Sequence, residues 1–327
     1  MSATTEGVSQ PTAKPIDYAL LLLLAALWGS TYTLIRIAVE TIPPTTLIAA
    51  RTVIAALLLH AIMRAKGIRM PTDRALWGKF AFQALFNAAL PFIMIAYAEK
   101  TVTAGLATIL NSTAPIFTFL INWAIVRREP ASLRKLGGVV AGMSGVTLIV
   151  GWEALSGMGQ GTLAQVALVV SAIFYAWAAI FGRTFAGLHP LVPAQGSLIA
   201  GAIWLTPLAL AVDQPWTLHP STEALVCTLI MGIFTTGFGF ILYFRLLQSM
   251  GAVAVTSQGY LRVPVGVLIG VFWLGEALPS TAWIGLICVV VGVAAMTIPE
   301  KPRATQALRD PAIREDTSGK TAPRGKP

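Results

Sequence analysis

The chain has 327 residues, of which 56% are hydrophobic and 11% charged, and its mean hydropathy is +0.74. Soluble domains carry about 25% charged residues, so this chain has too little polar surface to cover a water-exposed globule. The basic residues behind its net charge of +9 fall in short loops and in the last 28 residues, without the interleaved aromatics of a nucleic-acid groove, which argues against nucleic acid as a partner.

The apolar residues fall into ten runs long enough to cross a membrane, which takes about 20 mostly apolar residues. The sequence therefore predicts an all-α integral membrane protein with ten transmembrane helices. Residues 1–16 are expected to form a disordered tail, 153–161 a Gly-rich linker, and 300–327 a charged tail. In chain order the runs cover about 18–39, 45–64, 76–98, 101–126, 134–152, 162–182, 190–212, 222–245, 251–275 and 280–298.

The basic residues indicate how these helices are oriented. With the N-terminus in the cytoplasm, nineteen of the 23 Lys and Arg residues fall on the cytoplasmic side, two on the opposite side, and Arg51 and Arg262 within spans. Lys and Arg accumulate in the cytoplasmic loops of membrane proteins. We therefore expect a multi-pass protein of the inner (plasma) membrane with both termini cytoplasmic, which also requires an even number of helices.

The two halves of the chain resemble each other at a shift of 147 residues. Each half, 17–152 and 162–299, holds five runs, so the second enters the membrane from the opposite face and the repeats are expected to be inverted. Inverted repeats place a substrate site near the midplane, open to each side in turn, which is typical of transporters. The matching pairs are Trp28 and Tyr175, Arg36 and Arg183, Pro43 and Pro190, Glu129 and Glu276, Gly138 and Gly285, and Gly145 and Gly292.

Acidic residues are missing from the interior of the predicted spans, where proton relays usually need them. All 14 fall at helix ends, in loops or in the tails. His60 is the only histidine inside a run, and an interfacial role is favoured there over a relay. Arg262, near the middle of its run, is expected to face a water-filled cavity, backbone carbonyls or a substrate carboxylate. Arg51, closer to a helix end, is expected to cap carbonyls of a neighbouring helix.

Polar residues followed by a proline occupy matching positions of the two halves. Residues 108–113 precede Pro115 and residues 256–260 precede Pro264. A proline frees a backbone carbonyl four residues earlier, and such interruptions are tolerated at depth where the helix lines a cavity. Hydrogen bonding between helices is the alternative for each single residue. For the two segments together, the pattern favours a cavity.

Two aromatic repeat mates lie deep in the membrane. Trp28 and Tyr175 stand about ten residues into their runs, too deep for the aromatic belt at the membrane surface. Rings at this depth could stack on a ligand, although packing against lipid or core is the alternative for any one of them.

Motifs for catalysis or nucleotide use are missing from the sequence. It has no Walker A pattern, no H-E-x-x-H, no G-x-S-x-G and no C-x-x-C. Cys227 and Cys288 each lie in an apolar run, which is typical of inert cysteines. We therefore expect neither an enzyme nor a bound cofactor or metal.

The order of these features resembles the drug/metabolite transporter superfamily, and within it the EamA family. The resemblance is carried by L-W-G-S-T-Y at 27–32, A-A-R at 49–51, Pro264 followed by Gly275-Glu276, and G-x(6)-G at 285–292. It covers about 18–299. The first half ends in R-R-E at 127–129, where the family often has G-E.

The resemblance implies a secondary transporter, an exporter of amino acids or related metabolites working by alternating access, facilitated or proton-linked. The branch that exports aromatic amino acids is the most similar. It also implies a small-molecule substrate, contact with membrane lipid, and an oligomer that is possible but not required. The residues that it places in the central cavity are Trp28, Tyr32, Asn87, Tyr97, Asn111, Tyr175, Trp177, Tyr243, Tyr260 and Arg262.

Three alternatives stay open from the sequence. A sugar-phosphate or nucleotide-sugar exchanger of the same superfamily would need paired basic residues in the cavity, for which only Arg262 and Arg51 qualify. A drug antiporter would need a membrane glutamate, and the first run has none. A membrane-embedded enzyme would need a catalytic cluster at one depth, and none is visible.

Overall fold

The computed structural model describes residues 13–98, 100–102, 104–126, 132–150, 161–264 and 280–298. They form ten helical segments that follow the ten apolar runs, except that residues 265–275 of the ninth run lie outside the described residues. Short turns and loops join them. The segments are α1 Pro15–Ala38, α2 Pro44–Ala65, α3 Arg74–Ala98, α4 Ala104–Asn111 continuing through Ala114–Ile121 and Asn122–Val126, α5 Leu133–Val150, α6 Thr162–Phe185, α7 Leu191–Val212, α8 Thr222–Met250, α9 Ala252–Thr256 continuing over 258–264, and α10 Ser280–Thr297.

Local capping fixes where several helices begin. Asp73 accepts hydrogen bonds from two backbone amides in the first turn of α3, and Ser221 accepts one in the first turn of α8, as N-cap residues do. The first helix starts at Pro15, so the last two residues of the predicted N-terminal tail are helical; proline is well suited to the first helical position. Residues 1–12, 151–160 and 299–327, which hold most of both tails and the predicted linker, lie outside the described residues.

Several of the described helices depart from regular α geometry within the bundle. The α4 ladder is interrupted at Ser112 and Thr113, just before Pro115. Residues Leu85–Ala89 of α3 and Met231–Phe238 of α8 form π-helical turns. The 147-residue shift carries 85–89 onto 232–236, inside the second turn. Such turns leave backbone groups without regular partners and often mark functional sites.

The helices alternate in direction, which gives the bundle two ends. At the proximal end, where α1 begins, Tyr18 donates a hydrogen bond to the Thr297 carbonyl at the end of α10. At the distal end, where α1 finishes, Thr46 at the start of α2 donates to Asp213 at the end of α7. Helices that cross a membrane ten times in succession must alternate in this way.

Glycines hold α5 and α10 in close antiparallel contact. A β-carbon built on Gly138 would lie 2.8 Å from the Gly292 carbonyl oxygen, and one on Gly145 would lie 2.6 Å from that of Gly285. Side chains have no room there, as in other close helix pairs in membranes. Because Gly285 and Gly292 are the repeat mates of Gly138 and Gly145, the contact is reciprocal between the halves.

The outward surface of the bundle is apolar. Leu57 on α2, Ile203 and Trp204 on α7 and Ile287 on α10 are each more than half exposed, which in water would be a large uncovered hydrophobic patch. Within the described residues, six helices are long and apolar enough to cross a membrane. Lipid can cover such a surface. Helices also form hydrogen bonds between their own backbone groups, as the interior of a bilayer requires. The chain up to Thr297 is one compact unit, and a second begins at Ile298.

Candidate functional site

Two adjoining cavities occupy the middle of the bundle. The space between the lining atoms, counted together with the opening to solvent, is about 460 Å³ in the first and about 370 Å³ in the second. Both are lined by Trp28, Asn87, Tyr175 and Arg262. The first extends toward the distal end along Ile35, while the second lies on the proximal side, against residues that include Asn111, Tyr243, Thr256 and Gln258.

Arg262 is the charged group that both cavities share. Its Nε donates to Gln258 Oε1 at 2.8 Å, and its Nη1 donates to the Tyr32 hydroxyl at 3.2 Å. The guanidinium carbon lies 5.2 Å from the centre of the Trp28 ring, within the range of cation–π contacts. These partners are all neutral, and none of the described residues supplies a carboxylate to this cation.

The hydrogen bonds of Arg262 continue across the bundle. Tyr32 on α1 donates to Asn111 Oδ1 at 3.2 Å, and Asn111 Nδ2 donates to Ser171 on α6 at 2.9 Å. Asn111 belongs to the polar segment before Pro115, where the α4 ladder is interrupted. A continuous polar chain therefore links α9, α1, α4 and α6 at the level of the cavities.

Trp28 is fixed by the π-helical turn of α8. Its indole Nε1 donates to the Thr235 carbonyl at 2.8 Å, one of the backbone groups that a π-turn makes available. The indole fits only because Gly239 has no side chain, since a β-carbon there would lie 2.6 Å from Nε1. Tyr243 packs against the other side, with ring centres 5.6 Å apart. These contacts hold the ring where it lines both cavities.

Arg51 lines the first cavity from α2. It is 2% exposed, its Nε donates to the Thr236 hydroxyl at 3.0 Å, and its guanidinium lies 4.2 Å from the centre of the Phe92 ring. The sequence predicted a structural arginine that caps carbonyls. The structure shows a hydroxyl and an aromatic face among its partners and places it at the cavity wall, while the capping of carbonyls stays a prediction.

Asn87 stands on the π-helical turn of α3 and lines both cavities. It is 2% exposed, and its Nδ2 has no hydrogen-bond acceptor among the described residues. A buried amide without a partner costs roughly 1–3 kcal/mol. A ligand in the cavities can remove this cost by hydrogen bonding to the amide.

The proximal side of the cavities is closed by aromatic rings. Tyr243 contacts Phe244, which contacts Phe185, which contacts Phe80, with ring centres 5.1, 6.0 and 5.3 Å apart. All four side chains are at most 3% exposed. This aromatic plug fills the bundle between the second cavity and the proximal loops.

Seven of the ten predicted cavity residues meet here and three do not. Tyr97 is 44% exposed at the distal end, where its hydroxyl bonds to Thr45. Tyr260 is fully buried between α9 and α5, and its hydroxyl donates to the Val139 carbonyl. Trp177 lines neither cavity. The seven that line at least one cavity are Trp28, Tyr32, Asn87, Asn111, Tyr175, Tyr243 and Arg262.

The sequence interpretation missed several lining residues. Phe92 and Ile95 of α3 and Ile35 of α1 are ordinary apolar residues within spans, and no signal in the sequence separates them from lipid-facing ones. Gln258 was recognised as part of a polar segment, and its position four residues before Arg262 could have paired the two on one helix face. His60 is exposed on α2 and lines neither cavity.

The chain matches one known protein family twice. The profile of the EamA-like transporter family matches residues 16–151 and again 162–298. Two copies of one module thus account for most of the chain.

Curated relatives match over nearly their whole length. The "Uncharacterized inner membrane transporter YedA" of Escherichia coli (strain K12) is 26% identical, covering 90% of this chain and 96% of the relative. "Protein PagO" of Salmonella typhimurium is 27% identical, covering 91% and 98%. The "Probable terminal-alkyne amino-acid exporter" of Streptantibioticus cattleyicolor is 25% identical, covering 84% and 90%.

A solved crystal structure shares the fold. It superposes with a TM-score of 0.72 at 19% identity, covering 88% of this chain and 99% of the other. At this identity the likeness concerns the fold alone.

Proposed function

Because the chain belongs to the EamA-like transporter family, we propose that it is a secondary transporter that exports amino acids or related small metabolites, aromatic ones among them. Its relatives include proteins named as inner membrane transporters and one named as a probable amino-acid exporter. The chain is accordingly a multi-pass protein of the inner membrane with a small-molecule substrate. The substrate class and the mechanism are the proposal.

The observation that carries the proposal is the setting of Arg262. A guanidinium with only neutral partners among the described residues faces two cavities walled by Trp28 and Tyr175. A carboxylate on an apolar or aromatic body complements this arrangement, because the anion pairs with the guanidinium and the body packs against the rings. Asn87 offers the substrate a further hydrogen bond.

Alternating access between two inverted repeats is the mechanism that we propose. The cavities reach toward the distal end and are closed by the aromatic plug at the proximal end, as expected for one of two access states. The reciprocal contact of Gly138 with Gly292 and of Gly145 with Gly285 supports a two-fold relation between the halves. The matching positions of the π-helical turns in α3 and α8 also support this two-fold relation. With both termini cytoplasmic, the state described is open toward the outside.

Transport can be tested with the purified full-length protein in liposomes. We expect counterflow of at least one radiolabelled amino acid, and loss of that counterflow in Arg262→Gln. Arg36→Gln is the matched control, since Arg36 is an exposed arginine on α1. Indifference to an imposed pH gradient would indicate facilitated transport, and stimulation by it would indicate proton coupling. If the wild type moved no amino acid, the substrate assignment would be wrong.

A sugar phosphate or nucleotide sugar is the second candidate for the substrate. The specific observation in its favour is that Arg51 and Arg262 both line the first cavity, and paired cations suit a phosphate. Counterflow of a labelled sugar phosphate, lost in both Arg51→Gln and Arg262→Gln, would support it over an amino acid.

A further inference from the structure

We propose that the site selects carboxylates without an α-ammonium group, such as 2-hydroxy or 2-oxo acids, over zwitterionic amino acids. The inference rests on the proposed function and narrows its substrate class. It starts from a charge imbalance in the two central cavities: Arg51 and Arg262 line them, and no Asp or Glu does so among the described residues.

The described acidic residues lie too far along the helices to balance an ammonium group in the cavities. Asp17 and Glu223 are in the first turns of α1 and α8, Asp73 caps α3, Asp213 follows α7, and Glu40 lies in the loop after α1. All are at the ends of the bundle. An ammonium group entering the centre would therefore leave water without gaining an opposite charge from the described residues, which is costly in a membrane interior.

Several of the neutral groups at the cavities that could bind an ammonium already bind groups of the protein. Gln258 Oε1 accepts from Arg262, and Asn111 Oδ1 accepts from Tyr32. One face of the Trp28 ring is covered by the Arg262 guanidinium, and one face of the Phe92 ring by that of Arg51. Since an ammonium has only donors to offer, it competes with arginines for both kinds of partner.

A hydroxyl or keto oxygen at the same carbon avoids these conflicts. It carries no charge, and it can accept a hydrogen bond from Asn87, whose Nδ2 has no acceptor among the described residues. The carboxylate remains available to Arg262. Such a substrate carries a net negative charge, so the membrane potential, negative inside, would drive its export without a proton-binding residue in the membrane.

Three probes that share one ring and differ in charge test this selection. In liposomes holding the full-length protein, we expect the anion 3-phenyllactate to be transported with a half-saturating concentration at least tenfold below that of zwitterionic L-phenylalanine. The cation phenethylamine should not be transported. A potassium diffusion potential, negative inside, should slow uptake of phenyllactate and leave that of phenylalanine unchanged.

A variant that adds a negative charge to the cavity wall provides a second test. Asn87→Asp places a carboxylate on the cavity wall and should reverse the preference toward phenylalanine by tenfold or more. Asp73→Asn, which changes an acidic residue at the proximal end, should leave the preference as in the wild type.

The outcomes separate this inference from the proposed function. Equal or better transport of phenylalanine by the wild type would overturn the selection of anions while leaving the amino-acid exporter intact. An unchanged preference in a folded Asn87→Asp variant would also overturn it. If none of the three probes moved and no amino acid showed counterflow, both would fail.

Discussion

Arg262 lines both cavities inside the bundle, and the sequence predicts this position near the middle of a span, where a bilayer is least tolerant of charge. An arginine at the centre of a spanning helix costs about 2.5–3.5 kcal/mol on insertion scales, and the chain offsets this with Gln258, Tyr32 and the Trp28 ring. Hydrogen bonds between membrane helices average only about 0.6 kcal/mol each. These contacts therefore offset only part of the cost of burying the cation. Binding of an anionic ligand to Arg262 would offset more of that cost.

Tyr32 positions that cation, and its hydroxyl is the atom to remove. Tyr32→Phe loses the bonds to Arg262 and Asn111, which at about 0.6 kcal/mol each predicts a loss of about 1 kcal/mol in stability. We expect a small drop in melting temperature in detergent and a roughly fivefold weaker substrate affinity.

Tyr18→Phe is the control for this change. It removes one long hydrogen bond at the proximal end of the bundle and should leave substrate affinity unchanged. A Tyr32→Phe variant with wild-type affinity would show that the hydroxyl does not position Arg262.

At the scale of elements, the contact of α5 with α10 depends on the absence of side chains. In Gly138→Ala the new methyl would lie 2.8 Å from the Gly292 carbonyl oxygen, and overpacking of this kind costs about 1–3 kcal/mol. We expect a clearly lower melting temperature and less folded protein in size-exclusion chromatography.

The neighbouring glycine is the matched control. Gly137 is exposed, and a methyl group added there would meet no atom within 4 Å. Gly137→Ala should therefore be neutral or stabilising, as alanine favours helix by up to about 1 kcal/mol. Equal effects of the two substitutions would argue that the helices are not packed this closely.

Helix positions were predictable from the sequence because apolar length alone determines them, and the described helices follow the ten predicted runs. Helix rotation was predictable only in part. Successive residues are about 100° apart around an α-helix, so Tyr260 and Arg262 differ by about 200° and point to nearly opposite sides of a regular helix. The same spacing separates Trp177 from Tyr175. Applying this rule would have removed Tyr260 and Trp177 from the predicted site.

Irregular geometry is the part of the site that the sequence did not reveal. The π-helical turn of α8 provides the Thr235 carbonyl, which accepts a hydrogen bond from Trp28. The same turn contains Thr236, whose hydroxyl accepts a hydrogen bond from Arg51. No residue pattern in Met231–Phe238 distinguishes this turn from ordinary helix. The sequence therefore offered Arg51 as a cavity residue only for a phosphate-bearing substrate and did not predict its contact with Thr236.

At the scale of the whole molecule, the orientation in the membrane is open to a direct test. In a Cys227→Ala, Cys288→Ala background, His219→Cys lies in the exposed distal loop and Lys66→Cys in the exposed proximal one. With both termini cytoplasmic, a membrane-impermeant maleimide should label position 219 in intact cells and position 66 only after permeabilisation. The reverse pattern would invert the proposed topology and the direction in which the cavities open.

The reciprocal glycine contact of α5 and α10 has a consequence for how such a chain could assemble. The EamA-like profile matches each half separately, and the contact uses the same two glycine positions from each. A surface of this kind is self-complementary, like the interface of a two-fold symmetric dimer. Two polypeptides divided within 153–161 and co-expressed should therefore find each other in the membrane and co-purify, while Gly138→Ala in the first should weaken their association. The linker would then serve to keep the halves in equal number rather than to hold them together.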